Sequence, residues 1–128
     1  MKRTFILILA VICSSTAIAQ IPTVEEIKTL LSHKWKFSEW SMGEQKLPPS
    51  QKMFNSFLDL KSDGTLVRTE DGQEVHGKWS FENRYLVFKI DGKKKSEKNK
   101  LVNITDTELI FRTTEDGIFM TLVYKRVE

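Results

Sequence analysis

Along most of this chain apolar and polar residues alternate with a period of two, and the period is helical in one place only, near residue 27. There Val24, Ile27, Leu30 and Leu31 fall on one face. Thr23 and Glu26 have the spacing of a capping box, in which each side chain satisfies a free backbone N–H of the other, with Pro22 just outside. A short amphipathic helix ending near Ser32 follows from this pattern. Trp35 and Phe37 then alternate with Lys34, Lys36 and Ser38, as in a strand with one wet face. A polar stretch from Met42 to about Lys52, broken by Pro48-Pro49, reads as a loop.

Beyond it the punctuation is regular. Asp63-Gly64, Asp71-Gly72, Asp91-Gly92 and Asp116-Gly117 separate short alternating runs, and glycine supplies the positive φ that tight hairpins need. Further breaks fall at Glu82-Asn83 and Thr105-Asp106. The expected strands are 34–41, 53–61, 65–70, 73–81, 84–90, 99–105, 108–114 and 118–127. A hairpin-linked meander of this length avoids exposed edges by closing on itself, so the expected fold is all-β: an eight-stranded antiparallel up-and-down barrel with a short N-terminal helix. An open sheet or a sandwich is the alternative. The likeness of Arg68-Thr-Glu-Asp-Gly72 to Arg112-Thr-Thr-Glu-Asp-Gly117 is read as shared hairpin chemistry, with a duplicated half-barrel as the less common alternative.

Strand parity assigns an interior. Val75, Gly77, Trp79 and Phe81 share a face, as do Leu86, Phe88 and Ile90, Phe54, Ser56, Leu58 and Leu60, and Ile118, Met120, Leu122 and Tyr124. Trp40, Phe57, Phe119 and Val123 fall outside.

With the strands in place, the chain resembles the lipocalin-like domain of small exported bacterial proteins, a relative of the calycin barrels. The residues that carry the resemblance are Leu31-Ser-His-Lys-Trp35, Phe57-Leu-Asp-Leu-Lys-Ser-Asp-Gly-Thr65 and Gly77-Lys-Trp-Ser-Phe81. Val102-Asn-Ile-Thr-Asp-Thr-Glu-Leu-Ile-Phe-Arg112 and Leu122-Val-Tyr-Lys-Arg126 complete it. His33 stands where the family's opening Gly-x-Trp has glycine. The resemblance implies an eight-stranded barrel with a helix near one end, and no particular reaction or ligand.

Composition alters this picture at the N-terminus. Lys2 and Arg3, the apolar run from Phe5 to Ile12 and the small residues around Ala17 and Ala19 have the form of a secretory leader, too short to remain as a membrane span. Cleavage after Ala19 is expected to leave residues 20–128 as one domain, periplasmic or extracellular, with no transmembrane segment. Cys13 would leave with the leader, so no disulfide is available and the core must stabilise the domain alone. Lys2 and Arg3 would leave too, lowering the formal net charge from +3 to +1, which removes the compositional argument for a nucleic-acid partner.

Candidate chemistry is sparse. His33 at a helix-to-strand junction and His76 on a polar strand face give no triad, and no spacing suits a metal, so no catalytic residue, metal or cofactor is expected. Glu70-Asp71 and Glu115-Asp116 sit at hairpin tips, where water leaves nothing to split their pKa values. Lys93 to Lys100 holds five lysines without an interleaved aromatic, the composition of a solvated charge run. Asn103-Ile-Thr105 matches a glycosylation acceptor but lies within an expected strand.

The aromatic interior remains. A barrel of eight strands is just wide enough to be filled by side chains or to hold one small ligand, and its many bulky groups favour filling. If a pocket exists, its expected lining is Trp35, Phe37, Ser56, Leu58, Gly77, Trp79, Phe88 and Tyr124. Gly77 and Ser56 would leave room, Glu39 and Tyr124 would orient the guest, and the helix would close one mouth. Two functions follow as expectations. One is a non-enzymatic exported module that binds a small hydrophobic or amphipathic ligand. The other is a solid-core structural or protein-interaction domain of the cell envelope.

Overall fold

The computed structural model describes residues 21–48, 55–115 and 117–127. The expected leader with Cys13, Phe54 with the start of its strand, and Asp116 lie outside the described residues.

The helix α1 spans Val24–Leu31 and opens on the expected capping box: Thr23 Oγ1 accepts from Glu26 N at 3.2 Å, and Thr23 N donates to Glu26 Oε1 at 3.4 Å. The strands that follow are β1 (Lys34–Met42), β2 (Gln45–Leu47), β3 (Phe57–Leu60), β4 (Thr65–Glu70), β5 (Gln73–Glu82), β6 (Tyr85–Ile90), β7 (Glu97–Ile104), β8 (Glu108–Glu115) and β9 (Ile118–Val127). Every pairing is antiparallel, each of β3 to β9 lies beside its sequence neighbour, and β9 returns to pair with β1. The barrel is closed.

The expected strand 53–61 is shorter, with residues 55, 56 and 61 outside β3, and two other differences have local reasons. The three-residue β2, within the expected loop, turns back on β1 so that Trp40 faces Leu47 and Met42 faces Gln45. Because β9 takes one edge of β1 along its whole length, β2 and β3 share the other edge and together complete the eighth staves' contact. The strand β7 begins at Glu97 instead of residue 99, since Glu97 pairs with Phe88 despite the surrounding lysines.

At one end, which we call the closed end, α1 lies against the barrel. Leu31 is its one buried residue and joins the core with Trp35, Leu58, Leu60, Leu66, Phe81, Leu86 and Leu109. Trp35 is fully buried, and its indole N–H is satisfied by Leu31 O at 3.0 Å, tying β1 to the end of the helix. Trp79 donates in the same way to Lys61 O at 2.7 Å.

Gly77 is buried where β5 meets β6. A Cβ at this position would collide with the Lys89 carbonyl oxygen and lie 3.0 Å from Ile90 Cα, so the glycine permits close strand approach and leaves no room for a guest. The expectation that it opens space beside Trp79 is corrected accordingly. Among the described residues, no helix is long and apolar enough to cross a membrane.

Candidate functional site: the barrel mouth

The end of the barrel opposite α1 is open. Two adjoining cavities of about 690 Å³ and 450 Å³ occupy it and share Arg68, Glu70, Leu122 and Tyr124 in their walls. Their floor is a run of four rings from four strands, β1, β9, β8 and β6. Phe37 meets Tyr124 edge-on at 5.7 Å, Tyr124 stacks on Phe111 at 5.4 Å, and Phe111 meets Phe88 edge-on at 6.2 Å. These offset and edge geometries suit the ring quadrupoles and make a rigid apolar surface.

A β-bulge decides what stands beside the rings. Between Phe37 and Glu39 the register of β1 against β9 shifts by one residue, which inverts the facing of everything after it. Trp40, expected outside, therefore packs on the core and lines the smaller cavity, opposite Leu122. Glu39, expected to orient a guest, is turned out, where it pairs with exposed Lys46 at 3.5 Å. Period-two reasoning fails here because one extra residue resets the parity.

The polar wall was not anticipated. Arg68 follows Leu66 on the inner face of β4, and Glu97 and Asn99 stand opposite Phe88 and Leu86 on the inner face of β7. Arg68 Nη1 and Nη2 donate to Glu97 Oε1 and Oε2 at 2.8 and 3.1 Å, a bidentate pair across the barrel. Arg68 Nε lies 2.8 Å from Glu70 Oε1, an ion contact too poorly aligned to count as a hydrogen bond. Burial opposes the Arg68 charge, but hydrogen bonding and attraction from Glu97, then Glu70, outweigh it, and its pKa stands above the ordinary arginine value.

Two buried neutral groups complete this wall. Asn99, 3 % exposed, donates its amide nitrogen to Leu86 O at 3.1 Å. A carbonyl can only accept, so this bond fixes the amide orientation and leaves Oδ1 as the acceptor on the cavity side. Tyr124 has its ring in the floor, and its hydroxyl has no hydrogen-bond partner among the described residues. Burial pushes its pKa up to about 12, with Arg68 opposing and the two carboxylates adding, so it stays a neutral phenol able to donate or accept.

Of the eight residues expected to line a pocket, Phe37, Ser56, Leu58, Phe88 and Tyr124 line these cavities. Trp35, Gly77 and Trp79 do not. The interior is thus filled at the closed end and hollow at the mouth. The helix α1, expected to close a mouth, covers the end away from both cavities. A signal for the missed wall was present: Leu66, Arg68 and Glu70 alternate, as do Glu97, Asn99 and Leu101. The lysine-rich surroundings of Glu97 and the hairpin position of Glu70 disguised them as solvated.

Elsewhere the chemistry is sparse. His33 lies edge-on to Trp35 at 6.2 Å near the closed end, and His76 is exposed beside Glu74. Among the described residues, no three His, Cys, Asp or Glu side chains are grouped as metal ligands would be. Phe57 lies outside with the ammonium groups of Lys34 and Lys36 over its ring at 5.0 and 5.9 Å, and Phe119 is exposed.

The chain superposes on a crystal structure of a lipocalin-like protein from Bacteroides uniformis with a TM-score of 0.57, covering 77 % of this chain and 99 % of that one at 14 % identity. The fold is that of the lipocalin-like protein. A second structure, of an uncharacterized protein from Bacteroides eggerthii, gives a TM-score of 0.54 at 11 % identity over 74 % of this chain and 98 % of that one. No family model matches the sequence, and no curated protein is significantly similar to it. At such identities the lipocalin-like likeness speaks for the fold, and function has to be argued from the mouth.

Proposed function

We propose that this lipocalin-like barrel is a non-enzymatic binding module that holds one small amphipathic molecule in its open mouth, and that residues 1–19 are a removable leader directing it out of the cytoplasm. The observation that carries the reading is the pairing of a four-ring apolar floor with a polar wall of Arg68, Glu70, Glu97, Asn99 and Tyr124 lining the same cavity, in which Asn99 donates its amide nitrogen to Leu86 O and so keeps its oxygen as an acceptor. An apolar concave surface with a few polar groups at its wall is the composition of a small-molecule site, the floor burying the guest's body and the wall fixing its polar end. The contrast with the packed closed end supports the same view, because a barrel serving only as a solid scaffold gains nothing from leaving half its axis hollow.

The test is titration of the purified protein with the neutral dye N-phenylnaphthylamine, following dye emission. Saturable binding at one dye per barrel is expected, and Leu122→Trp, which fills the wall shared by both cavities, should abolish it. No saturable response up to the dye's solubility would reject the reading.

One observation favours an interaction surface instead. Met42, Ile118 and Phe119 are exposed around the mouth, and Gly43 N donates to Phe119 O at 3.3 Å, which brings the two tips together. Dye binding absent, with self-association that rises with concentration and is lost in Phe119→Ser, would select that role.

A further inference from the structure

The inner face of the mouth carries an uneven set of charges. Among the described residues its one guanidinium, Arg68, is held by two carboxylates, Glu97 at 2.8 Å and Glu70 at 2.8 Å, and so leaves a net negative cluster. Lys98 also touches the larger cavity, but it faces outward opposite Val87 and is solvent-exposed, so water and salt screen it. The neutral groups on the wall point the same way: Asn99 Oδ1 accepts only, and Tyr124 Oη offers lone pairs.

We propose that the guest is an amphiphile with a cationic head, a protonated amine or a guanidinium, seated against Glu70, Asn99 and Tyr124, with its apolar body along Phe88, Phe111 and Leu122. This rests on the binding role proposed above and adds the sign of the guest's charge. A carboxylate or sulfate head would have to displace Glu97 from a bidentate pair or lie beside two like charges. An ammonium seated on Glu70, Asn99 and Tyr124 meets acceptors at those three groups and leaves the Arg68–Glu97 bridge intact, the Arg68 charge beside it being offset by the two carboxylates. The half-exposed Glu70, 57 % accessible, meets Arg68 Nε without a hydrogen bond and can turn onto such a head without breaking one.

The experiment is displacement of N-phenylnaphthylamine from the purified protein by decylammonium, decanol and decanoate at neutral pH and low salt. These probes share one chain and differ in head charge. Decylammonium is expected to bind roughly tenfold tighter than decanoate, a moderate ratio for partly solvated charges, with decanol between. Glu70→Gln, which keeps the Arg68–Glu97 pair, should shrink that ratio to about threefold or less. Equal or tighter binding of decanoate, with decanol still binding, would overturn the cationic head and leave the binding role standing. An unchanged ratio in Glu70→Gln would overturn the assignment of the head's position. Failure of all three probes and the dye would remove the binding role and this inference with it.

Discussion

Truncating Leu31 to alanine asks how much the short helix contributes to the barrel. Leu31 is fully buried among the core residues of the closed end, and it is the only buried residue of α1. The substitution deletes three carbons, worth about 2.4 kcal/mol in transfer at roughly 0.8 kcal/mol per methylene. The barrel end is braced by Trp35 and by the strands themselves, so it cannot fully collapse into the void, and the cavity term raises the expected loss to about 3–4 kcal/mol. Against a total stability of about 5–15 kcal/mol for a domain of this kind, that is a large fraction.

Urea unfolding followed by tryptophan emission measures it, and the midpoint should fall with the m-value unchanged. Trp35 donates to Leu31 O and so reports the same locus. Val24→Ala is the control, because Val24 is 52 % exposed and its truncation should cost less than about 0.5 kcal/mol. Affinity of the folded fraction for a mouth probe should not move, since both cavities lie at the far end. A loss below about 1 kcal/mol for Leu31→Ala would refute the idea that the helix seals the core.

Two further outcomes are expected. Gly77→Ala should lower stability by about 1–3 kcal/mol in a thermal melt, because the new methyl meets the backbone of β6, which has no flexible end to move aside; a loss under about 0.5 kcal/mol would show that the strands do not approach so closely. Burial first, then Arg126, holds the His33 pKa below the ordinary histidine value of 6.5, with Asp106 opposing. The unfolded chain therefore binds the proton more readily, and the contribution present above 6.5 is lost as pH falls through the folded value. Stability should decline on acidification below neutrality, and His33→Gln should flatten that part of the profile; an unchanged slope in the variant would assign the decline elsewhere.

Much of this molecule was written into local pattern. Thr23 and Glu26 specify the start of α1 without help from distant residues. Asp71-Gly72 specifies its hairpin for the same reason, with φ of 51° and 81° at the two positions. Sidedness of β5 and β6 followed from alternation because both faces are uninterrupted: Trp79, Phe81, Leu86 and Phe88 are all buried where parity placed them. Closure followed from the number of hairpin-linked strands, and the pairing of β1 with β9 bears it out.

What tertiary structure alone decided lies in the mouth. The bulge after Phe37 depends on how β1 must bend to meet β9, a long-range demand with no local signature, and it exchanged Glu39 for Trp40 on the inner face. Arg68 and Glu97 are 29 residues apart, and each reads as a surface charge until barrel closure sets them facing each other and withholds enough water to make the pair hold. The same closure determined that Gly77 is filled by a neighbouring strand and that the hollow end is the one away from the helix. Alternation encodes which way a side chain points along a regular strand. What it meets there is settled only when the strands come together.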